Sequence, residues 1–124
     1  MEADLYVEER GNPEDPTIIF LHGLLGSSRN WRSVSKCLSK QYHTLCFDLP
    51  NHGKSSQQEE STVQKMADTL CSEISRSGIS HFSLCGHSLG GKIAMRMACD
   101  HSESVNQLVV VDIAPRDYPP EHHL

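Results

Sequence analysis

No stretch of this sequence comes near the roughly 20 apolar residues that a bilayer-spanning helix needs. The opening residues, Met1-Glu2-Ala3-Asp4, hold no basic segment followed by an apolar one, so no secretory signal is expected. The five cysteines (Cys37, Cys46, Cys71, Cys85 and Cys99) form no C-x-x-C pair and no zinc-like spacing. Their odd number and their places inside apolar patterns predict reduced thiols packed as small hydrophobes. That usage fits a cytoplasmic or otherwise reducing compartment. Basic residues are in deficit, 11 Lys and Arg against 16 Asp and Glu, for a net charge of −5. An acidic surface repels phosphate, which argues against a nucleic-acid partner. Internal repeats, low-complexity tracts and linkers are missing as well.

What is present suits one globular domain. The 124 residues are 37% hydrophobic and 22% charged, enough for a modest core and too apolar for disorder. A single unit over residues 1–124 is expected. Leu5-Tyr6-Val7 reads as a short first strand, followed by turn chemistry at Gly11-Asn12-Pro13 and Asp15-Pro16. Thr17–Leu21 and His43–Phe47 are apolar or β-branched runs, the pattern of strands buried on both faces. Residues 30–39 place Trp31, Val34 and Leu38 at helical spacing. Ser61 and Gln64 fit a capping box, and Val63, Met66, Ala67, Leu70, Cys71 and Ile74 form one helical stripe closed by Gly78. His81–Cys85 reads as a strand, Leu89–Cys99 as a helix and Gln107–Val111 as a last strand. This alternation predicts an α/β fold: a mostly parallel twisted sheet with helices on both faces. In such sheets ligands gather at the carboxyl ends of strands.

Each suggestive motif falls at such an end. Gly86-His87-Ser88-Leu89-Gly90 lies between a strand and a helix. On a sharp turn of that kind a serine lifts its hydroxyl clear of the sheet, and the flanking glycines leave room for the crowded backbone. Ser88 is therefore the candidate nucleophile. Serine is a poor nucleophile until a neighbouring base takes its proton. Acyl transfer also builds negative charge on the carbonyl oxygen and needs fixed donors for it. The backbone N–H of Leu89 supplies one; the loop His22-Gly23-Leu24-Leu25-Gly26 supplies the second, at Leu24. That loop has neither the Lys-Ser/Thr ending of a P-loop nor dinucleotide Gly-x-Gly-x-x-Gly spacing. His22 reads as a residue that holds the loop by hydrogen bonding. Asp48-Leu49-Pro50-Asn51-His52-Gly53-Lys54-Ser55 reads as scaffolding. Asp112, after Val109-Val110-Val111, is the candidate acid that would orient a histidine. The competing reading makes it a strand cap.

Four stretches together resemble the esterase-like branch of the α/β-hydrolase fold: His22-Gly23-Leu24-Leu25-Gly26-Ser27, Asn51-His52-Gly53, Gly86-His87-Ser88-Leu89-Gly90-Gly91-Lys92 and Val111-Asp112-Ile113-Ala114-Pro115. The resemblance runs over nearly the whole chain. It implies a nucleophile at Ser88, an acid at Asp112, oxyanion donors at Leu24 and Leu89, ester or thioester substrates, and no cofactor or metal. It also implies a protein about twice this length, with a helical cap, two more strands and a late catalytic histidine. The sequence is thus expected to be the N-terminal part of a hydrolase domain, ending before the cap, and weakly active or inactive alone. None of its eight histidines answers to that base. His87 is expected to point away from Ser88, and His122 and His123 lie in a proline-rich tail. Two other functions stay open: a C–C hydrolase or lyase on the same fold, and a non-catalytic interaction product. In the latter, the apolar last strand would self-associate through its open edge.

Overall fold

A computed structural model describes residues 5–23, 26–49 and 62–111. Among the described residues there are five strands: β1 (Val7–Arg10), β2 (Thr17–Leu21), β3 (His43–Phe47), β4 (Phe82–His87) and β5 (Val105–Val111). Three α-helices join them: α1 (Arg32–Leu38), entered through a 3-10 turn at Ser28–Trp31, α2 (Val63–Arg76) and α3 (Leu89–Asp100). The strands line up as β1-β3-β2-β4-β5. Only β1 runs antiparallel, against β3; the β3-β2, β2-β4 and β4-β5 pairs are parallel. The expected α/β fold is the one observed.

Chain order and spatial order diverge at β2. From there the chain crosses through α1 to β3 on one side, then through α2 to β4 on the other. The carboxyl ends of β2 and β4 thus flank the point where the winding reverses, the place where open α/β sheets form a ligand crevice.

The pleat sorts the side chains. Ile19, Leu21, Leu45, Phe47 and Leu84 join Met66, Leu70 and Ile74 of α2 and Ile93, Ala94 and Met97 of α3 in one buried core. Phe20, on the opposite face of β2, packs on Trp31 with ring centroids 5.1 Å apart. Both faces of β2 are therefore buried, as its unbroken apolar run predicts.

Several boundaries differ from the sequence reading, among them β4, which runs Phe82–His87 rather than His81–Cys85. The first strand is Val7–Arg10 rather than residues 5–7. Its charged residues are tolerated because Glu8 pairs with Arg10 and Arg32. At the start of α2, Thr62 is the N-cap: its hydroxyl accepts from the Lys65 N–H at 3.0 Å. The Gln64 amide NH2 donates to Asp68 and Asp100 at 3.0 Å. Ser61 lies outside the described residues. Strand β5 begins two residues early, at Val105, whose side chain packs against the core. The predicted stop at Gly78 is observed: its φ is +82°, its N–H donates to Ser75, and the Ile79 N–H reaches back to Ile74. That pair of bonds satisfies the last carbonyls of the helix.

Candidate active site

Ser88 sits between β4 and α3 with φ 55° and ψ −117°. It is the only non-glycine residue with positive φ among the described residues. A side chain in that region strains the backbone by roughly 1–3 kcal/mol, and such strain persists only where the surroundings impose it. Here they do. The Ser88 N–H donates to the Val111 carbonyl at 3.2 Å, and the Ser88 carbonyl accepts from Gly91 and Lys92 at 2.9 and 3.1 Å. The turn is pinned to the end of β5 and to the first turn of α3 at once. Serine at a helix start normally spends its oxygen on capping. Ser88 makes no side-chain cap bond, so its hydroxyl is not consumed by the helix.

The two glycines of the pentad are required by contact. A Cβ on Gly86 would lie 2.6 Å from the Gly90 carbonyl carbon and 2.8 Å from Gly91 Cα. A Cβ on Gly90 would lie 2.5 Å from the His22 carbonyl oxygen. Both obstacles are backbone, which cannot swing aside. Their absence lets α3 press its amino end against the end of β2. Leu89 is the first residue of α3, where a backbone N–H has no intrahelical acceptor and lies at the positive end of the helix dipole.

The β2 loop comes to the same spot. A Cβ on Gly23 would meet Ser88 Cβ at 3.1 Å and His87 Nδ1 at 2.9 Å. The ring of His87, which the sequence places next to the nucleophile and which is expected to point away from it, lies beside Gly23, where a residue without a side chain lets the loop close over the turn. His22 is fully buried; its Nδ1 lies 2.7 Å from the Gly23 oxygen and its Nε2 accepts from the Leu49 N–H at 2.9 Å. With Nε2 accepting, Nδ1 carries the proton and donates. His22 is thus a neutral tie between the loops after β2 and β3, as expected. Asp48 makes a second tie, accepting from the Ser28 N–H at 2.6 Å. The sequence reading placed Asp48 in scaffolding but assigned it no partner. Its signal was an acidic residue at a strand end, which alone names no N–H.

Leu24, Asp112, His52, His122 and His123 lie outside the described residues. Val111, the neighbour of Asp112 in sequence, is the residue whose carbonyl holds Ser88.

The cysteines are all free. Burial pushes the Cys71 thiol up to about 11 and raises those of Cys46 and Cys85. Such thiols resist ionisation and make poor nucleophiles. Among the described residues no group of three or more His, Cys, Asp or Glu is placed to hold a metal ion, and no helix is long and apolar enough to cross a membrane.

Residues 16–124 match the family described as alpha/beta hydrolase fold. The chain belongs to that family. It is 36% identical over 116 residues to the sn-1-specific diacylglycerol lipase ABHD11 of Mus musculus, covering 92% of this chain and 38% of the mouse protein. It is 38% identical over 100 residues to the 2-succinyl-6-hydroxy-2,4-cyclohexadiene-1-carboxylate synthase of Enterobacter sp. (strain 638), covering 81% and 38%. A marine microorganism esterase of known structure superposes with a TM-score of 0.91 at 32% identity, covering 97% of this chain and 46% of that one. This alpha/beta hydrolase chain thus spans less than half the length of each. The mouse relative and the marine one carry lipase and esterase names, which supports a hydrolase of the family.

Proposed function

We propose that this chain carries the nucleophile and oxyanion half of a serine acyl hydrolase acting on small carboxylic esters or thioesters. The observation that carries the reading is the strained backbone of Ser88, held by β5 and α3 while its hydroxyl caps nothing. In this reading a histidine takes the Ser88 proton as Oγ attacks the carbonyl carbon. The Leu89 and Leu24 N–H groups receive the oxyanion, and Asp112 orients the histidine. The alcohol or thiol departs with the proton, and water then releases the acid from the acyl-serine. This chemistry needs neither cofactor nor metal.

His22 is committed to Leu49, so the reading assigns the base to none of the eight histidines here. It expects slow chemistry from these residues alone, with a residual of about 10³–10⁴ over water from the oxyanion donors. The 124 residues are one part of a single hydrolase domain in this proposal. A reducing compartment and no nucleic-acid partner belong to it too, on the free thiols and the net charge of −5.

The test is a fluorophosphonate probe located by peptide mapping, with and without added imidazole as a substitute base. We expect an adduct on Ser88 that forms faster with imidazole and vanishes in Ser88→Ala. A folded chain that takes no probe at Ser88 even with imidazole overturns the reading.

The likeness to the Enterobacter synthase favours keeping a second reading, a C–C hydrolase or lyase step at the same site. It predicts probe labelling without hydrolysis of p-nitrophenyl acetate. A third reading is a non-catalytic product that self-associates through β5, where Leu108, Val109 and Val111 are exposed.

A further inference from the structure

At the amino ends of the parallel strands, opposite Ser88, a cavity of about 620 Å³ is lined by Glu9, Thr17, His43, Glu73 and Ile79 among others. Three of those side chains form a chain of hydrogen bonds across three adjacent strands. Thr17 Oγ1 on β2 lies 2.9 Å from His43 Nδ1 on β3, and His43 Nε2 lies 2.5 Å from Glu9 Oε2 on β1. Strand register builds the arrangement, since Thr17 and His43 are Cα partners in the β2–β3 ladder. The imidazole is buried, 4% exposed, while the Glu9 carboxylate is 52% exposed.

Proton positions follow from donor and acceptor capacity. An ionised carboxylate only accepts, so Nε2 carries the hydrogen toward Glu9. In the neutral ring Nδ1 is then a lone pair, and the Thr17 hydroxyl donates to it. A hydroxyl within 2.6–3.2 Å of a base that a third group orients is the signature of an activated nucleophile. The branched side chain of Thr17 restricts its own rotation, so the hydroxyl stays on the imidazole.

We propose that Thr17, His43 and Glu9 form a second hydroxyl–imidazole–carboxylate site, at which Thr17 accepts an acyl group from small activated esters. Thr17 Oγ1 attacks the carbonyl carbon while its proton passes to His43 Nδ1. The ester C–O bond breaks, and the departing oxygen takes that proton from the imidazolium, which Glu9 stabilises meanwhile. The product is an O-acyl-threonine and a free alcohol. Nothing in this step uses Ser88, so the two sites stand or fall separately.

The test is run on the Ser88→Ala chain, treated with p-nitrophenyl acetate and mapped by peptide mass spectrometry. We expect an acetyl group on Thr17, retained in Thr17→Ser. His43→Gln slows its appearance by roughly a hundredfold, the usual contribution of a positioned base. Because His43 is buried and its variant can fail to fold, Glu9→Gln serves as a second probe: the imidazole stays, and acetylation slows about tenfold. A purely structural staple predicts no acetyl on Thr17. That result, or acetylation at an unchanged rate in folded Glu9→Gln, overturns the proposal.

Discussion

Ser88 carries a conformational cost that a glycine would not. At φ 55° and ψ −117° its Cβ is crowded by its own backbone. Glycine relieves that crowding but loses more entropy on folding, so the two effects partly cancel. We expect Ser88→Gly to raise stability by about 1 kcal/mol while Ser88→Ala leaves it nearly unchanged, measured by urea denaturation. A Ser88→Gly chain no more stable than Ser88→Ala would show that the turn is relaxed. The pentad was readable because its physics is local: five consecutive residues contain the strain, the exit for the hydroxyl and the two glycines. The Thr17–His43–Glu9 chain was not readable. Its members are spread over three strands, and only the β2–β3 and β1–β3 registers bring them together. The same holds for the Asp48 tie to Ser28, which lies 20 positions away.

Among the elements, β1 shows best how pairing overrides pattern. Strands β2 and β3 have the predicted bounds, because an apolar run buried on both faces needs no partner's identity to be recognised. Strand β1 instead contains Glu8, Glu9 and Arg10, beyond the end of the strand expected at residues 5–7. Arg32 converts the charge into a fastener: its Nε and NH2 reach the two Glu8 carboxylate oxygens at 3.2 and 2.5 Å. This fork is the stronger kind of ion pair. The Arg32 hydrogen bond, aided by Arg10 and opposed by burial, holds the Glu8 carboxyl down to about 2. Since the folded value is below the unfolded one of 4.5, the stabilisation is complete above that unfolded value. It is lost as pH falls from there through about 2. Arg32 is partly exposed, so screening trims the contribution to on the order of 2 kcal/mol. Glu8→Gln should therefore lower stability at neutral pH and flatten its fall in acid, read from melting temperature against pH. Parallel curves for the two proteins would contradict the assignment.

At the scale of the whole sheet, the described residues leave a charged strand, β1, at one edge and an apolar one, β5, at the other, with Leu108, Val109 and Val111 at 39%, 52% and 40% exposure. In a parallel sheet strands are normally covered on both faces, and an open apolar edge invites pairing. We expect concentration-dependent self-association of this chain in sedimentation velocity, and its loss in Val109→Lys. A monomer at every concentration would remove the third functional reading. The β5 edge also bears on the site, since Val111 at its carboxyl end holds the Ser88 N–H. Loosening β5 should therefore slow probe capture at Ser88.

The most direct measurement is a crystal structure of the chain after reaction with a fluorophosphonate in the presence of imidazole. The account predicts phosphorus bonded to Ser88 Oγ and a phosphonyl oxygen about 2.7–3.1 Å from the Leu89 nitrogen. A modified Ser88 whose phosphonyl oxygen faces away from the amino end of α3 would contradict it, as would a folded chain left unmodified at that residue.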